Sequence, residues 1–213
     1  MKNIILITGG AGFVGSNLIE HLLKRSNKII LSLDNYSTGS NANHFKNKRV
    51  RYLVGDTSKI NNILSKFKEN IHSVFHFGEF SRIFQSFKEF DKCYDSNSIG
   101  TKAVFKFCLD NNIKLIYSAT SASLGKKGND KNLSPYAFTK SKNLELLENL
   151  KKWFNFKFEI IFFYNVYGPY QISNGSMATI IGIFEECYKK KKPLPVVRPG
   201  SQTRRFTHIE DTV

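Results

Sequence analysis

A doubly wound α/β fold around a parallel sheet is predicted by three observations. Short apolar runs recur at Ile4–Ile7, Ile29–Leu33, Val50–Val54, Val74–Phe77, Leu115–Tyr117 and Ile160–Phe163. Between them lie segments with apolar residues at helical spacing, namely Val14–Lys24, Cys93–Leu109 and Tyr136–Trp153. A glycine-rich turn, Gly9-Gly10-Ala11-Gly12, joins the first run to the first helix. Alternation of this kind buries a parallel sheet between helical layers, and ligands bind beyond the carboxyl ends of its strands.

The first strand runs into glycines at every third position, Gly9, Gly12 and Gly15. A turn that brings backbone amides against a pyrophosphate needs residues without side chains, and the helix opening at Phe13 and Val14 adds its positive end. The second strand ends in Asp34, 19 positions after Gly15. A carboxylate there accepts hydrogen bonds from the adenosine ribose hydroxyls and repels a 2′-phosphate, which favours NAD over NADP; the plainer alternative is that Asp34 with Asn35 opens a turn. Gly55-Asp56 after the third strand sets a second carboxylate near an adenine amino group, or simply makes a turn. The fourth run leads into His76-Phe77-Gly78-Glu79-Phe80-Ser81-Arg82, in which Phe77 and Gly78 are candidate cofactor contacts at the strand's carboxyl end.

The fifth strand leads into the hydroxyl-rich Tyr117-Ser118-Ala119-Thr120-Ser121. After it comes Ser134-Pro135-Tyr136-Ala137-Phe138-Thr139-Lys140, in which Tyr136 and Lys140 share one helix face. An ammonium beside a phenol stabilises the phenolate and makes the tyrosine a usable general base, while a hydroxyl after the strand can hold the reacting oxygen. Together with the glycine turn, this points to redox chemistry on a nicotinamide cofactor. After Gly168-Pro169 the alternation stops. A loop over Gln171–Gly175, a helix over Met177–Lys190 and an extended Leu194–Val197 then read as the start of a smaller substrate lobe. The expected division is a dinucleotide-binding domain over 1–168 and a partial substrate lobe over 169–213.

With 41% hydrophobic residues the chain has the composition of a globular protein. It has no apolar stretch of membrane-spanning length, and Ile4–Ile7 is too short for a signal peptide core, so a cytoplasmic protein is expected. Cys93, Cys108 and Cys187 are widely spaced with no histidine cluster beside them, which predicts reduced thiols and no metal site. The net charge of +15 is spread along the chain, and its densest run, Lys189–Lys192, falls at a helix end, where cations suit the dipole. No nucleic-acid-reading motif accompanies it, so no nucleic-acid partner is expected.

Six ordered segments carry a resemblance: TGGAGFVGSNL, LDNYSTG, NSIGT at Asn97–Thr101, SPYAFTK, YNVYGP at Tyr164–Pro169, and GSQTRRFTHIED at Gly200–Asp211. The chain resembles the NAD-dependent nucleotide-sugar epimerase/dehydratase branch of the extended short-chain dehydrogenase/reductase superfamily. The resemblance implies Tyr136 as general base, Lys140 on the nicotinamide ribose, and Thr120 on the substrate's 4-oxygen. It also implies Asn165 and Arg204 on the nucleotide-sugar diphosphate and Asn97 near the cofactor, with backbone capping as the alternative for both asparagines. A homodimer through Cys93–Asn111 and Tyr136–Trp153 is implied as well.

Dehydratases of this branch follow their threonine with an Asp-Glu pair, whereas Thr120 precedes Ser121-Ala122. The implied activity is therefore 4-epimerisation of a nucleotide sugar, a UDP-hexose above all, for surface polysaccharide synthesis. The alternatives are a 4,6-dehydratase or 4-ketoreductase, or a non-catalytic NAD-binding protein. Three departures stand out: Glu79 where relatives carry a small residue, which would put a carboxylate near the cofactor phosphates with Arg82 to offset it, Arg205 where they carry an acidic one, and a short basic loop containing Gly125-Lys126-Lys127-Gly128. Relatives continue beyond Asp211, so a truncated form with weak nucleotide-sugar binding is expected.

Overall fold

The computed structural model describes residues 2–124 and 132–213; the loop at 125–128 lies outside them. Six parallel strands form one sheet in the order β3-β2-β1-β4-β5-β6. They are β1 (Ile4–Thr8), β2 (Ile29–Asp34), β3 (Val50–Val54), β4 (Ile71–His76), β5 (Lys114–Thr120) and β6 (Phe158–Phe163). This is the predicted doubly wound architecture, with its topological switch between β1 and β4.

All five β1 residues are buried, because helices cover both faces of the sheet. Alternate side chains divide between the two layers. Ile5 and Ile7 pack with Leu18 and Ile19 of α1 (Phe13–Arg25). Ile4 and Leu6 face the larger core, with Leu33, Val74, Leu115 and Tyr117 from the neighbouring strands. Phe105 and Phe107 of α5 (Thr101–Asp110) and Leu147 of α7 (Pro135–Phe154) close that layer. Four short helices complete it: α2 (Ile60–Ile63), α3 (Ile83–Lys88), α4 (Phe90–Tyr94) and α6 (Ser121–Leu124).

The single helix predicted over Cys93–Leu109 is not continuous. Between α4 and α5 the chain takes a π-helical path over Asp95–Gly100. Side chains from this wide turn hold the loop after β4: the Phe80 amide donates to Asn97 Oδ1 at 2.7 Å and to Ser96 Oγ at 3.1 Å. Asn143 of α7 in turn donates to the Asn97 carbonyl at 2.6 Å. Hydrogen bonds from outside the helix replace those that the widened turn gives up.

After β6 the described elements are β7 (Val166–Tyr167), α8 (Ile180–Lys189), β8 (Thr207–His208), which pairs with β7 in a two-stranded ladder, and a 3₁₀ turn over Ile209–Asp211. Leu194–Val197, expected to be extended, forms no strand, and Val196 and Val197 are exposed. This region is tied to the sheet domain by backbone contacts: Asn17 donates to the Pro169 carbonyl, Gln85 to that of Ser176, and Arg82 to that of Met177.

Candidate active site

The carboxyl ends of the strands open into a cavity of about 560 Å³. Its floor is the glycine turn. Gly9 has φ +72°, and a Cβ on it would lie 2.8 Å from the Gly78 nitrogen, so the turns after β1 and β4 pack backbone to backbone. A Cβ on Gly15 would strike the Gly9 carbonyl and come within 2.6 Å of Gly10 Cα. The α1 helix begins there at Gly12 with no side-chain cap, leaving its first amides open to an anion. This uncapped helix end above a cradle with no room for a Cβ fits a dinucleotide pyrophosphate.

At the β2 end Asp34 is buried, and its two oxygens accept the Ala11 amide at 2.9 Å and the Tyr36 amide at 2.8 Å. It therefore holds its own turn, as the plainer reading has it, and it also lines the cavity. Asn35 donates to Asp56 Oδ2 at 3.0 Å, which brings the ends of β2 and β3 together at the rim.

The other end is built by β5 and α7. Ser134 caps α7 by accepting the Ala137 amide, and Pro135 occupies its first turn, a combination that fixes where the helix starts. Tyr136 and Lys140 consequently enter the cavity from one helix face, opposite Thr120 at the tip of β5. Lys140 is buried; its ammonium donates to the Ser118 carbonyl at 2.6 Å and forms an ion pair with Glu79. It also lies 4.9 Å from the centre of the Tyr117 ring.

Behind this pair runs a chain of hydrogen bonds whose direction follows from its donors, which also assigns the imidazole tautomer. The Gly78 amide donates to Thr8 Oγ1 (3.1 Å), the Thr8 hydroxyl to His76 Nδ1 (2.6 Å), His76 Nε2 to Thr101 Oγ1 (3.0 Å), and the Thr101 hydroxyl to Glu79 (2.8 Å). Burial pushes His76 down to about 4, so the ring is neutral at physiological pH. Arg82, on the loop before α3, also lines the cavity, and burial lowers it from its usual value. Among the described residues its guanidinium bonds to carbonyl oxygens, those of Met177 and Ser81.

Of the residues singled out from sequence, Gly9, Gly12, Phe13, Val14, Gly15, Asp34, Asn35, Asp56, Phe77, Gly78, Thr120, Tyr136, Lys140 and Asn165 line one cavity. Two do not. Asn97 is fully buried behind the cavity wall with its amide spent on Phe80, so the capping alternative describes it and its neighbour Ser96 lines the cavity instead. Arg204 is exposed and donates to Thr203 and Gln202 of its own loop. Asn165 lines the cavity and donates to the Arg205 carbonyl at 2.9 Å, the backbone bond that the capping alternative expects. The sequence places Glu79 near the cofactor phosphates with Arg82 to offset it; in the structure the β4 loop folds under α7, so Glu79 pairs with Lys140 while Arg82 turns to carbonyl oxygens.

Comparison with known proteins agrees with this geometry. A family model described as the NAD-dependent epimerase/dehydratase family matches residues 5–213. A UDP-glucose epimerase of Bacillus subtilis, itself uncharacterised, is 27% identical over 98% of this chain and 70% of its own. A dTDP-D-glucose 4,6-dehydratase of Dictyostelium discoideum is 29% identical, covering 98% of this chain and 53% of its own. Among solved structures, a UDP-glucose 4-epimerase of Thermotoga maritima with UDP-glucose superposes with a TM-score of 0.89 at 24% identity, a likeness of fold. That match covers 98% of this chain and 70% of the other. A UDP-N-acetylglucosamine 4-epimerase from Methanobrevibacter ruminantium gives 0.88 at 26% identity, covering all of this chain and 71% of its own.

Proposed function

Because the chain belongs to the NAD-dependent epimerase/dehydratase family, we propose that it inverts carbon 4 of a nucleotide sugar, a UDP-hexose in the first instance, and recycles its NAD. The observation that carries this reading is the set of carboxylates around the cavity. Among the described lining residues these are Asp34, Asp56 and Glu79. The first two stand at the β2 and β3 ends, and Glu79 is paired with Lys140. Beside Thr120 the chain continues Ser121-Ala122, so no described carboxylate stands free there to eliminate water, as a 4,6-dehydratase must.

NAD supplies the hydride acceptor and donor when bound. Tyr136 takes the proton from the 4-hydroxyl and later returns it, and Thr120 holds that oxygen by a hydrogen bond. Lys140 holds the nicotinamide ribose while staying anchored on Ser118 and Glu79. The glycine turn and the α1 amino end hold the pyrophosphate, and Asp34 holds the adenosine ribose, which selects against a 2′-phosphate. Asn165 and, after movement of its loop, Arg204 take the substrate diphosphate.

Residues 1–168 act as the cofactor domain and 169–213 as part of the substrate lobe. The protein works in the cytoplasm as a homodimer through α5 and α7, and its product feeds polysaccharide synthesis. Among the described residues no helix is long and apolar enough to cross a membrane. Incubation with UDP-glucose, UDP-galactose and their N-acetylated forms, with the epimers resolved, tests the proposal. Interconversion without net NADH formation supports it, and a 4-keto-6-deoxy product or net NADH turnover assigns a dehydratase or a ketoreductase.

A further inference from the structure

Glu79 is a buried charge at the catalytic end of the cavity for which the proton transfer above has no use. Besides Lys140, its carboxylate accepts from Thr101 (2.8 Å), Tyr117 (3.1 Å), Asn143 (3.3 Å) and Ser118 (3.4 Å). These partners come from α5, β5 and α7, so three elements fix the carboxylate against the lysine. In the ion pair the side chain of Lys140 is 5% exposed and that of Glu79 2%. Water screens these charges little, so the loss of either one is felt across the cavity that both residues line.

The nicotinamide ring is cationic in the oxidised cofactor and neutral in the reduced one. A lone ammonium beside that ring repels the oxidised form and leaves the reduced form alone, whereas an ammonium paired with a carboxylate sums to zero. The other charged group lining this end is Arg82, and the nearby His76 is neutral. Arg82 is bound to carbonyl oxygens and has no carboxylate within ion-pair distance among the described residues. The balance at the nicotinamide end therefore turns on whether Lys140 is compensated.

We propose that Glu79 is a positioning residue that neutralises Lys140 and thereby sets the preference of this pocket for NAD⁺ over NADH. The proposal rests on the reading that Lys140 stands at the nicotinamide end of a bound dinucleotide.

The test is the ratio of dissociation constants for NAD⁺ and NADH, measured by calorimetry on the wild-type protein, Glu79→Gln, Lys140→Met and the double variant. Glu79→Gln preserves shape and leaves the ammonium uncompensated, so Kd(NAD⁺)/Kd(NADH) should rise about tenfold. For this two-electron couple that is a rise of about 30 mV in the bound potential. Lys140→Met should move the ratio the opposite way, and the double variant should return it to within about twofold of wild type. A purely structural pair predicts changes of one sign in both single variants. Ratios that move together, or that stay within about twofold of wild type, overturn the proposal. Should Glu79→Gln fail to fold, the opposite shifts are read from Lys140→Met and the double variant. A wild-type protein that binds neither nucleotide overturns the cofactor reading itself, and this inference with it.

Discussion

At the scale of single residues, the site separates proton transfer from cofactor choice. Tyr136→Phe deletes only the proton acceptor, so turnover should fall on the order of a hundredfold or more while NAD affinity, read by calorimetry, stays unchanged. Asp34→Ser removes the carboxylate that would meet the ribose and should shift the NAD-to-NADP preference by roughly 1 to 3 kcal/mol. Asp34 also holds the Ala11 and Tyr36 amides, so the ratio of affinities is the quantity to measure. An unchanged ratio reduces Asp34 to a turn residue.

His76 gives a pH prediction. Burial is the dominant cause that lowers it from 6.5 to about 4, so below pH 6.5 the unfolded chain takes up a proton that the folded one refuses. The contribution is complete above pH 6.5 and is lost as the pH falls, reaching about 3 kcal/mol by pH 4. Urea titrations at both ends of that window should show the loss in the wild type and a smaller one in His76→Gln. Equal losses would contradict the assignment.

At the scale of elements, the glycine turn is limited by contact as much as by ligand. Gly15→Ala would press a methyl into the Gly9 carbonyl and Gly10, an overpacking that costs about 1 to 3 kcal/mol and several degrees of Tm. The same variant should weaken NAD, because the turn must open. A thermal melt and a calorimetric titration on one preparation check both.

The strands and the long helices were legible because their signals are local: a run of Ile and Leu between turn residues, or Pro135 following Ser134. The π-helical turn at Asp95–Gly100 was not legible. It exists because Ser96 and Asn97 bond to Phe80, a pairing set by tertiary folding that no periodicity announces. Asn97 shows the same limit: a motif fixes where a residue lies in the chain, but the folded loop decides what its amide meets, and here it meets the Phe80 backbone, as the capping alternative has it. The Glu79 contact with Lys140 spans 61 positions and was equally invisible.

At the scale of the whole molecule, one sheet brings the segments after all six of its strands to one rim, so a cofactor laid across the switch point would span from Asp34 to Tyr136. That layout could be read from the alternation of elements. The region after Pro169 was less legible, because its order depends on tethers from Asn17, Arg82 and Gln85 to backbone carbonyls rather than on its own apolar pattern. The proposed reaction inverts carbon 4 and returns the hydride it removed. Its most direct test is to incubate the NAD-loaded protein with UDP-glucose labelled with deuterium at carbon 4 and to follow the sugar by NMR. The expected outcome is UDP-galactose that retains the label at carbon 4, with no accumulation of NADH and with conversion by Tyr136→Phe slower by on the order of a hundredfold or more. Loss of the label to solvent, net formation of NADH, or a dehydrated 4-keto product would contradict it.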